Sequence, residues 1–201
     1  MKANIAESAL FEIASAQGGY FTAFQAVDAG FSNKNHRYHV EVGNWIREWR
    51  GIYRLNRFPL REDAQYSLWG VWSMNRKGIP QGVYSYETAL SIFELSDVQP
   101  EKLHMTVPRG YRRHSKIPKV LHLHHSIIEP FEYEERNGYR VTKPYRTIID
   151  LVRSMTVSPE FIKQTVEQAI DRGYLTHAQY RTLKEMKRVG PRLKEILGGD
   201  R

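Results

Sequence analysis

The stretch from Gly18 to Leu55 constrains the fold of this chain more than any other. It reads GGYFTAFQAVDAGFSNKNHRYHVEVGNWIREWRGIYRL. Thr22 and Ser32 each precede a segment of helical periodicity, and both are residue types that commonly cap helix N-termini. Two short β-like runs then flank Arg50-Gly51, which predicts a hairpin with a basic tip. Helix, turn, helix and hairpin are the layout of a winged helix-turn-helix, so the sequence predicts that fold for residues 1–58.

The second capped segment and the hairpin carry the residue types that DNA recognition needs. Lys and Arg pair with phosphates or guanine edges, and Asn can form two hydrogen bonds with adenine. Between Phe31 and Arg57 there are six Lys or Arg residues and two Asp or Glu residues. A basic helical domain whose charged face is only solvated would show the same pattern. The predicted DNA contacts are Thr22, Ser32, Asn33, Lys34, Asn35, His36, Arg37, Tyr38, Arg47, Arg50 and Arg54.

Composition agrees with a polyanionic partner. The chain of 201 residues has a formal net charge of +8 and contains no cysteine, and its sequence pI is near 9.6. The charge favours nucleic acid or an acidic membrane surface, whereas the lack of cysteine excludes disulfides, thiol catalysis and cysteine-bound zinc. The first residues lack the apolar core of a signal peptide, and no run approaches the length of a membrane span. A cytoplasmic protein without membrane contact is expected.

The remaining residues, 59–201, predict a second domain of mixed helices and strands. Beta-like runs begin at Leu103, Lys119 and Phe131, and Asn137-Gly138 supplies the positive φ that a tight hairpin turn needs. We therefore expect an α+β protein, with the winged helix-turn-helix followed by a mixed α/β domain that contains a small antiparallel sheet. Helical periodicity is found over 61–76, 86–95, 145–153, 158–173 and 177–188.

The densest basic run lies between Arg109 and Val120, with five positive charges and no negative one. Such a loop can contact phosphates or an acidic partner, and it can equally be a solvated connection between strands. The last thirty residues, 172–201, carry eight basic and three acidic side chains and leave the same two interpretations open. The run contributes Arg109, Arg112, Arg113 and Lys116 to a predicted partner surface.

Arg146 and Asp150 complete that predicted partner surface. They are four residues apart on a predicted helix, so the two side chains can pair. The pair can serve as a brace at the start of the helix, or it can contact a toxin or RNA directly.

Catalytic and metal sites are not expected. His122 and His124 share one face of a predicted strand, and His104 and His125 are further donors, but no carboxylate or third histidine follows at a fixed spacing. A nuclease would need an acidic cluster with a Glu-x-Lys triplet on a strand, and the only triplet, Glu185-Met186-Lys187, falls in a helical segment. No phosphate-binding loop or nucleophile elbow is present. We therefore predict no catalytic residue, no metal and no cofactor.

Several motifs of this chain, taken in order, resemble the AbiEi-type antitoxins. Gly18-Gly19-Tyr20-Phe21-Thr22 is similar to the Gly-Gly-x-Phe-Thr opening of their winged helix, and Arg50-Gly51-Ile52-Tyr53-Arg54-Leu55 to their wing. Three segments of the second domain are also similar, and the likeness spans most of residues 4–187. These segments begin at Tyr84 (YSYETAL), Glu101 (EKLHMTVPRG) and Val141 (VTKPYRTIIDL).

The resemblance implies an antitoxin of a type IV toxin–antitoxin pair from an abortive-infection system. Its winged helix would bind double-stranded operator DNA, as a dimer or cooperative pair, and repress its own operon. Its C-terminal domain would counteract a nucleotidyltransferase-like toxin without needing a stable complex. The segment NKNHRYH departs from the relatives, which often carry Ser, Arg and Leu there, so no operator sequence is carried over. The alternative is a stand-alone transcriptional regulator whose second domain senses a ligand or partner.

Overall fold

The computed structural model describes residues 2–113 and 116–198 and divides into two compact units. The first unit contains the described residues of Met1–Gly82 together with Glu135–Arg140, and the second those of Val83–Glu134 and Val141–Arg201. Both units contain helices and strands, so the predicted α+β class is confirmed. None of the helices within these ranges is long and apolar enough to cross a membrane. His114 and Ser115 of the basic run, and residues 199–201 of the tail, lie outside the described residues.

The first unit begins with three helices and a small sheet. Strands β1, β2 and β3 form an antiparallel sheet in the order β1-β3-β2. The segment predicted as one helix after Ser32 starts as a short 3-10 helix over Asn33–Asn35 before it becomes α-helical. The elements are α1 (Lys2–Ser15), β1 (Tyr20–Thr22), α2 (Ala23–Asp28), α3 (His36–Glu41), β2 (Trp45–Trp49), β3 (Ile52–Leu55) and α4 (Ala64–Trp72). Helix α4 lies in the first unit, whereas the sequence suggested a domain boundary near residue 58.

Aromatic side chains dominate the core of the first unit. Trp45 is buried, with its ring 5.0 Å from that of Phe21 and 4.6 Å from that of His39. Trp45 therefore belongs to the core of the first unit. Trp49 remains partly exposed, and its ring meets that of Trp69 edge to face. Hydrophobic packing therefore fixes the base of the hairpin, and its tip is left to solvent.

The second unit is built around most of a five-stranded sheet with the order β6-β5-β4-β8-β7. Buried apolar residues of α6, including Ile148, Leu151 and Val152, contribute to its core. The strands are β4 (Val83–Tyr84), β5 (Leu103–Val107), β6 (Leu121–His125), β7 (Tyr133–Arg136) and β8 (Tyr139–Thr142). The helices are α5 (Tyr86–Phe93), α6 (Pro144–Ser154), α7 (Pro159–Asp171), α8 (His177–Glu185) and α9 (Gly190–Leu197), with a 3-10 helix over Pro130–Glu132.

This larger sheet is mixed, which corrects the prediction of a small antiparallel sheet in the second domain. Strand β4 runs antiparallel to β5 but parallel to β8, and β5 runs parallel to β6. Two adjacent parallel strands need a connection long enough to return along the sheet. The basic run between β5 and β6 is that connection, which explains its length.

The hairpin predicted at Asn137-Gly138 is present between β7 and β8. Gly138 has a φ of +82°, and a Cβ atom there would lie 2.7 Å from the Cα atom of Gln17. Only glycine satisfies both the backbone angle and this close approach. The turn therefore packs directly on the segment that follows α1.

Candidate nucleic-acid interface

The predicted recognition segment presents a row of exposed polar side chains. Asn33, Lys34 and Asn35 are exposed on the 3-10 helix, and Arg37 and Tyr38 are exposed on α3. Among the described residues, Lys34 forms no salt bridge, so its ammonium group is available to an anion. These side chains provide amide groups for base edges and cations for phosphates.

Arg37 is paired, but only weakly held. Its Nε atom donates to Oε1 of Glu41 at 2.6 Å, one helical turn away. The two side chains are 89% and 58% exposed, so water screens their attraction. A phosphate or a guanine edge can therefore compete with Glu41 for the guanidinium group.

The hairpin of β2 and β3 adds three exposed cations. Arg47 lies on β2, Arg50 lies at the turn, and Arg57 follows β3. None of the three forms a salt bridge within the described part of the chain. Gly51, with a φ of +72°, makes the turn beside Arg50. Arg57 was missing from the predicted contacts, although its place just after a basic hairpin could have indicated it.

The structure contradicts the prediction that His36 contacts DNA. Its side chain is 3% exposed and lies against the rings of Trp45 and Tyr53, at centroid distances of 5.3 and 5.8 Å. Burial and the neighbouring His39 lower the pKa of His36, so the ring stays neutral near pH 7. Both ring nitrogens are buried without a hydrogen-bond partner. His36 packs the recognition segment onto the core, and its buried ring is not accessible to a base.

The structure also contradicts the prediction that Arg54 contacts DNA. It lies on β3, the central strand, between Tyr20 of β1 and Ile46 of β2. Its guanidinium group is buried and donates to Oε1 of Glu48 at 2.8 Å. Because its side chain is buried and paired with Glu48, Arg54 stabilises the hairpin instead of facing DNA.

Thr22 and Ser32 have different roles from one another. The hydroxyl of Thr22 accepts from the backbone N–H of Gln25, and the backbone N–H of Thr22 donates to Oε1 of Gln25, which is a complete capping box. The hydroxyl accepts this bond and keeps its own O–H hydrogen for another partner, so Thr22 stays a predicted DNA contact. Ser32 is exposed and makes no capping hydrogen bond with its side chain, so the cap predicted there is wrong. Its hydroxyl is free for a phosphate.

In the second unit, the basic side chains predicted for a partner surface lie on the described parts of the connection between β5 and β6. Arg109, Arg112, Arg113 and Lys116 are all exposed. The Nε atom of Arg113 donates to the hydroxyl of Tyr111 at 3.1 Å, and burial raises the pKa of that hydroxyl. These four side chains remain candidates for a partner surface.

Arg146 and Asp150 do not lie on a surface, which corrects their assignment to the partner surface. Nε of Arg146 lies 3.0 Å from both carboxylate oxygens of Asp150, and Nη1 donates to Glu132 at 2.6 Å. Burial lowers the pKa of Arg146, but the two carboxylates outweigh it and the net shift is upward. The network ties α6 to the 3-10 helix before β7, so the structural brace is the arrangement found.

The histidines of β5 and β6 form a cluster with two residues of α5. Nδ1 of His104 lies 2.9 Å from Oε2 of Glu87 and 3.1 Å from Nε2 of His124, while Tyr86 stacks on His124 at 3.9 Å between ring centroids. His122 is exposed at the edge of this cluster, 5.0 Å from His104. Residues 2–113 and 116–198 contain no group of three His, Asp or Glu side chains arranged to hold a metal ion.

The pKa values of two residues in this cluster, Glu87 and His124, are strongly lowered. Burial raises the pKa of Glu87, but hydrogen bonds from His104 and from its own backbone outweigh burial and lower the pKa to about 2. Burial, together with His104 and His122, lowers the pKa of His124 to about 4. Near pH 7 the carboxylate of Glu87 is charged and His124 is neutral.

No family model matches this sequence, and no curated protein matches it significantly. The function is therefore inferred from the side chains and geometry of the two units.

Proposed function

We propose that this protein is an antitoxin that binds operator DNA through its first unit and represses its own transcription. The elements α1 to β3 would act as a winged helix-turn-helix, with the 3-10 helix and α3 in the major groove and the β2–β3 hairpin as the wing. The second unit would counteract a nucleotidyltransferase-like toxin. No step of catalysis is part of this proposal.

One observation carries the DNA-binding part. Lys34, Arg47, Arg50 and Arg57 are exposed and form no salt bridge among the described residues, although Glu41 of α3 and Glu48 of β2 belong to the same stretch of chain. Both carboxylates are taken by other arginines, Arg37 and Arg54. The local excess of positive charge is therefore unneutralised, as binding to a phosphate backbone requires.

The amide groups add the capacity for sequence readout. Asn33 and Asn35 flank Lys34 on the exposed 3-10 helix, and this helix leads into α3. Residues at the start of a recognition helix are those that reach base edges, and asparagine pairs with adenine through two hydrogen bonds.

DNA binding is tested by fluorescence anisotropy with the DNA upstream of the coding sequence. Lys34→Ala and Arg37→Ala should each weaken binding by about tenfold and reduce its salt dependence. Lys77→Ala and Arg76→Ala are matched controls, because they remove the same charges from exposed positions of the first unit outside the proposed interface. Equal effects of all four variants, or no effect of the first two, would show that the recognition segment is wrongly assigned.

The antitoxin part is supported by the order of sequence motifs in the second unit and by its exposed basic loop. It is tested by co-expression with the product of the neighbouring gene. A nucleotidyltransferase-like toxin whose growth arrest is relieved by this protein, including by its Lys34→Ala variant, would support a separate neutralising role. Relief that disappears whenever DNA binding disappears would assign the whole effect to repression instead.

A further inference from the structure

Three arginines of the second unit converge on one cavity. Arg153, Arg188 and Arg192 line a space of about 430 Å³. Arg153 lies in the last turn of α6, Arg188 lies between α8 and α9, and Arg192 lies in the first turn of α9. All three residues are exposed, and none forms a salt bridge with a carboxylate in residues 2–113 and 116–198. The space is therefore lined by positive charge without a counter-ion from these residues.

The guanidinium group of Arg192 is held in place by the protein. Its Nη1 atom donates to the carbonyl oxygens of Arg153 at 3.1 Å and of Val152 at 3.5 Å. These carbonyls lie at the C-terminal end of α6, where cations are favoured by the helix dipole. The other nitrogens of the group have no bond within the described chain and can donate to a ligand. Arg192 is therefore preorganised rather than a freely moving surface side chain.

The backbone between α8 and α9 is also held in place, by close packing around Gly190. A Cβ atom on Gly190 would lie 2.1 Å from the carbonyl oxygen of Lys184, so the two segments approach as closely as only glycine permits. Leu183, Val189 and Leu193 are completely buried around this point. Arg188 and Arg192 therefore start from a rigid backbone on either side of Gly190.

The buried acid on the same helix as Arg153 does not neutralise the cavity. Asp150 lies one turn before Arg153 on α6, and both of its oxygens are within 3.0 Å of Nε of Arg146. Arg153 acts on Asp150 only through electrostatic attraction, which lowers the pKa of that carboxyl. Burial raises the same pKa by more, so the net shift is upward. The guanidinium group of Arg153 makes no hydrogen bond within the described chain.

We propose that this cavity binds a small molecule that carries a diphosphate or triphosphate group. Guanidinium groups form paired, charge-assisted hydrogen bonds with phosphate oxygens, and three of them match the charge of a short polyphosphate. The volume falls within the usual range of small-molecule sites. This binding does not depend on DNA binding by the first unit.

The shape favours a compact polyphosphate over a DNA backbone. The phosphates of one DNA strand are spread along its axis at about 3.4 Å per nucleotide, and cations that follow it form an extended stripe. Here three cations on three segments line one open depression of the surface instead. A linked polyphosphate concentrates its charge in such a space.

The test is isothermal titration calorimetry of the full chain with inorganic tripolyphosphate, at about physiological ionic strength. Arg188→Gln and Arg153→Gln should each weaken binding at least tenfold. Arg181→Gln removes an equivalent exposed charge from α8 outside the cavity and should change binding less than twofold. Arg192→Gln is omitted because it also removes the hydrogen bonds at the end of α6.

Three results would overturn the proposal. One is the absence of binding at millimolar tripolyphosphate. Another is an equal loss in Arg181→Gln and Arg188→Gln, which would mean that only general charge attracts the anion. The last is a loss of affinity for double-stranded DNA in Arg188→Gln while tripolyphosphate binding is unaffected, which would make the cavity part of a DNA surface. Circular dichroism of each variant confirms that it is folded before binding is compared.

Discussion

The Nε atom of Arg146 lies 3.0 Å from each carboxylate oxygen of Asp150, and both side chains are buried. Removing one partner of a buried ion pair leaves the other charged group without compensation. We expect Arg146→Ala to lower the free energy of unfolding of the second unit by about 3 to 5 kcal/mol. Urea unfolding measures this loss. Lys163→Ala, which breaks the exposed pair with Glu167, is the control and should cost less than about 0.5 kcal/mol.

The histidine cluster predicts acid sensitivity above pH 4.5. The pKa of His124 falls from 6.5 to about 4 on folding, so the unfolded chain takes up a proton first as the pH drops. Stability should be greatest above pH 6.5 and should decrease by about 2 kcal/mol between about pH 7 and pH 5. His124→Phe, which keeps an aromatic ring on Tyr86, should flatten this part of the profile. His177→Phe, at an exposed position of α8 away from this cluster, should leave the profile unchanged.

Glu87 extends that sensitivity to lower pH. Its pKa is lowered from 4.5 to about 2, so its stabilising contribution is present above 4.5 and is lost as the pH falls towards 2. The loss should amount to about 3 kcal/mol in this window. Glu87→Gln should abolish the dependence below pH 4.5 and leave the His124 step between pH 7 and pH 5. A step that persists unchanged in Glu87→Gln would assign it to another carboxylate.

We expect Arg50, at the tip of the β2–β3 hairpin, to contribute to DNA affinity through its charge alone. Arg50→Ala should weaken binding to operator and to unrelated DNA by the same factor, because a phosphate contact carries no sequence information. The slope of log affinity against log salt should decrease by about 0.9 for each lost phosphate contact. Arg76→Ala serves as the control. A variant that lost affinity for operator DNA alone would place Arg50 against a base edge.

Substitutions at the adjacent residues Asn35 and His36 should have opposite effects on DNA affinity and on stability. His36→Phe removes two buried nitrogens without partners and keeps a ring against Trp45 and Tyr53, so stability should be unchanged or rise by about 1 kcal/mol. DNA affinity should stay within twofold. Asn35→Ala, at the exposed position before it, should lower operator affinity without changing thermal stability. A loss of DNA binding in a stable His36→Phe variant would restore the original assignment.

Local signals in the sequence predicted the local structure well. Helix α2 begins after Thr22 and α8 after Thr176, and both threonines form the capping box with a glutamine three residues later. Asn137-Gly138 makes the predicted hairpin between β7 and β8. These features depend on neighbours within four residues, so their chemistry can be read directly from the chain.

Features that depend on distant residues were not predictable in this way. Strand β4 has two residues, too few for a periodic pattern, and its partners β5 and β8 lie far along the chain. The burial of His36 follows from where Trp45 and Tyr53 pack, and that of Arg54 from its strand becoming central. Arg153 and Arg192 are 39 residues apart, so no spacing rule brings them together. Tertiary packing, rather than local propensity, decides all of these positions.

The segment Glu135–Arg140 belongs to the first unit although more than fifty residues of the second unit precede it. Its anchors are the hydroxyl of Ser67, which donates to the carbonyl of Asn137, and Nη1 of Arg140, which donates to the carbonyl of Pro80 at 2.8 Å. On the ribosome, the first unit therefore cannot be completed until residue 140 has been synthesised. The first unit of the proposed repressor would therefore be complete only when most of the chain has been translated.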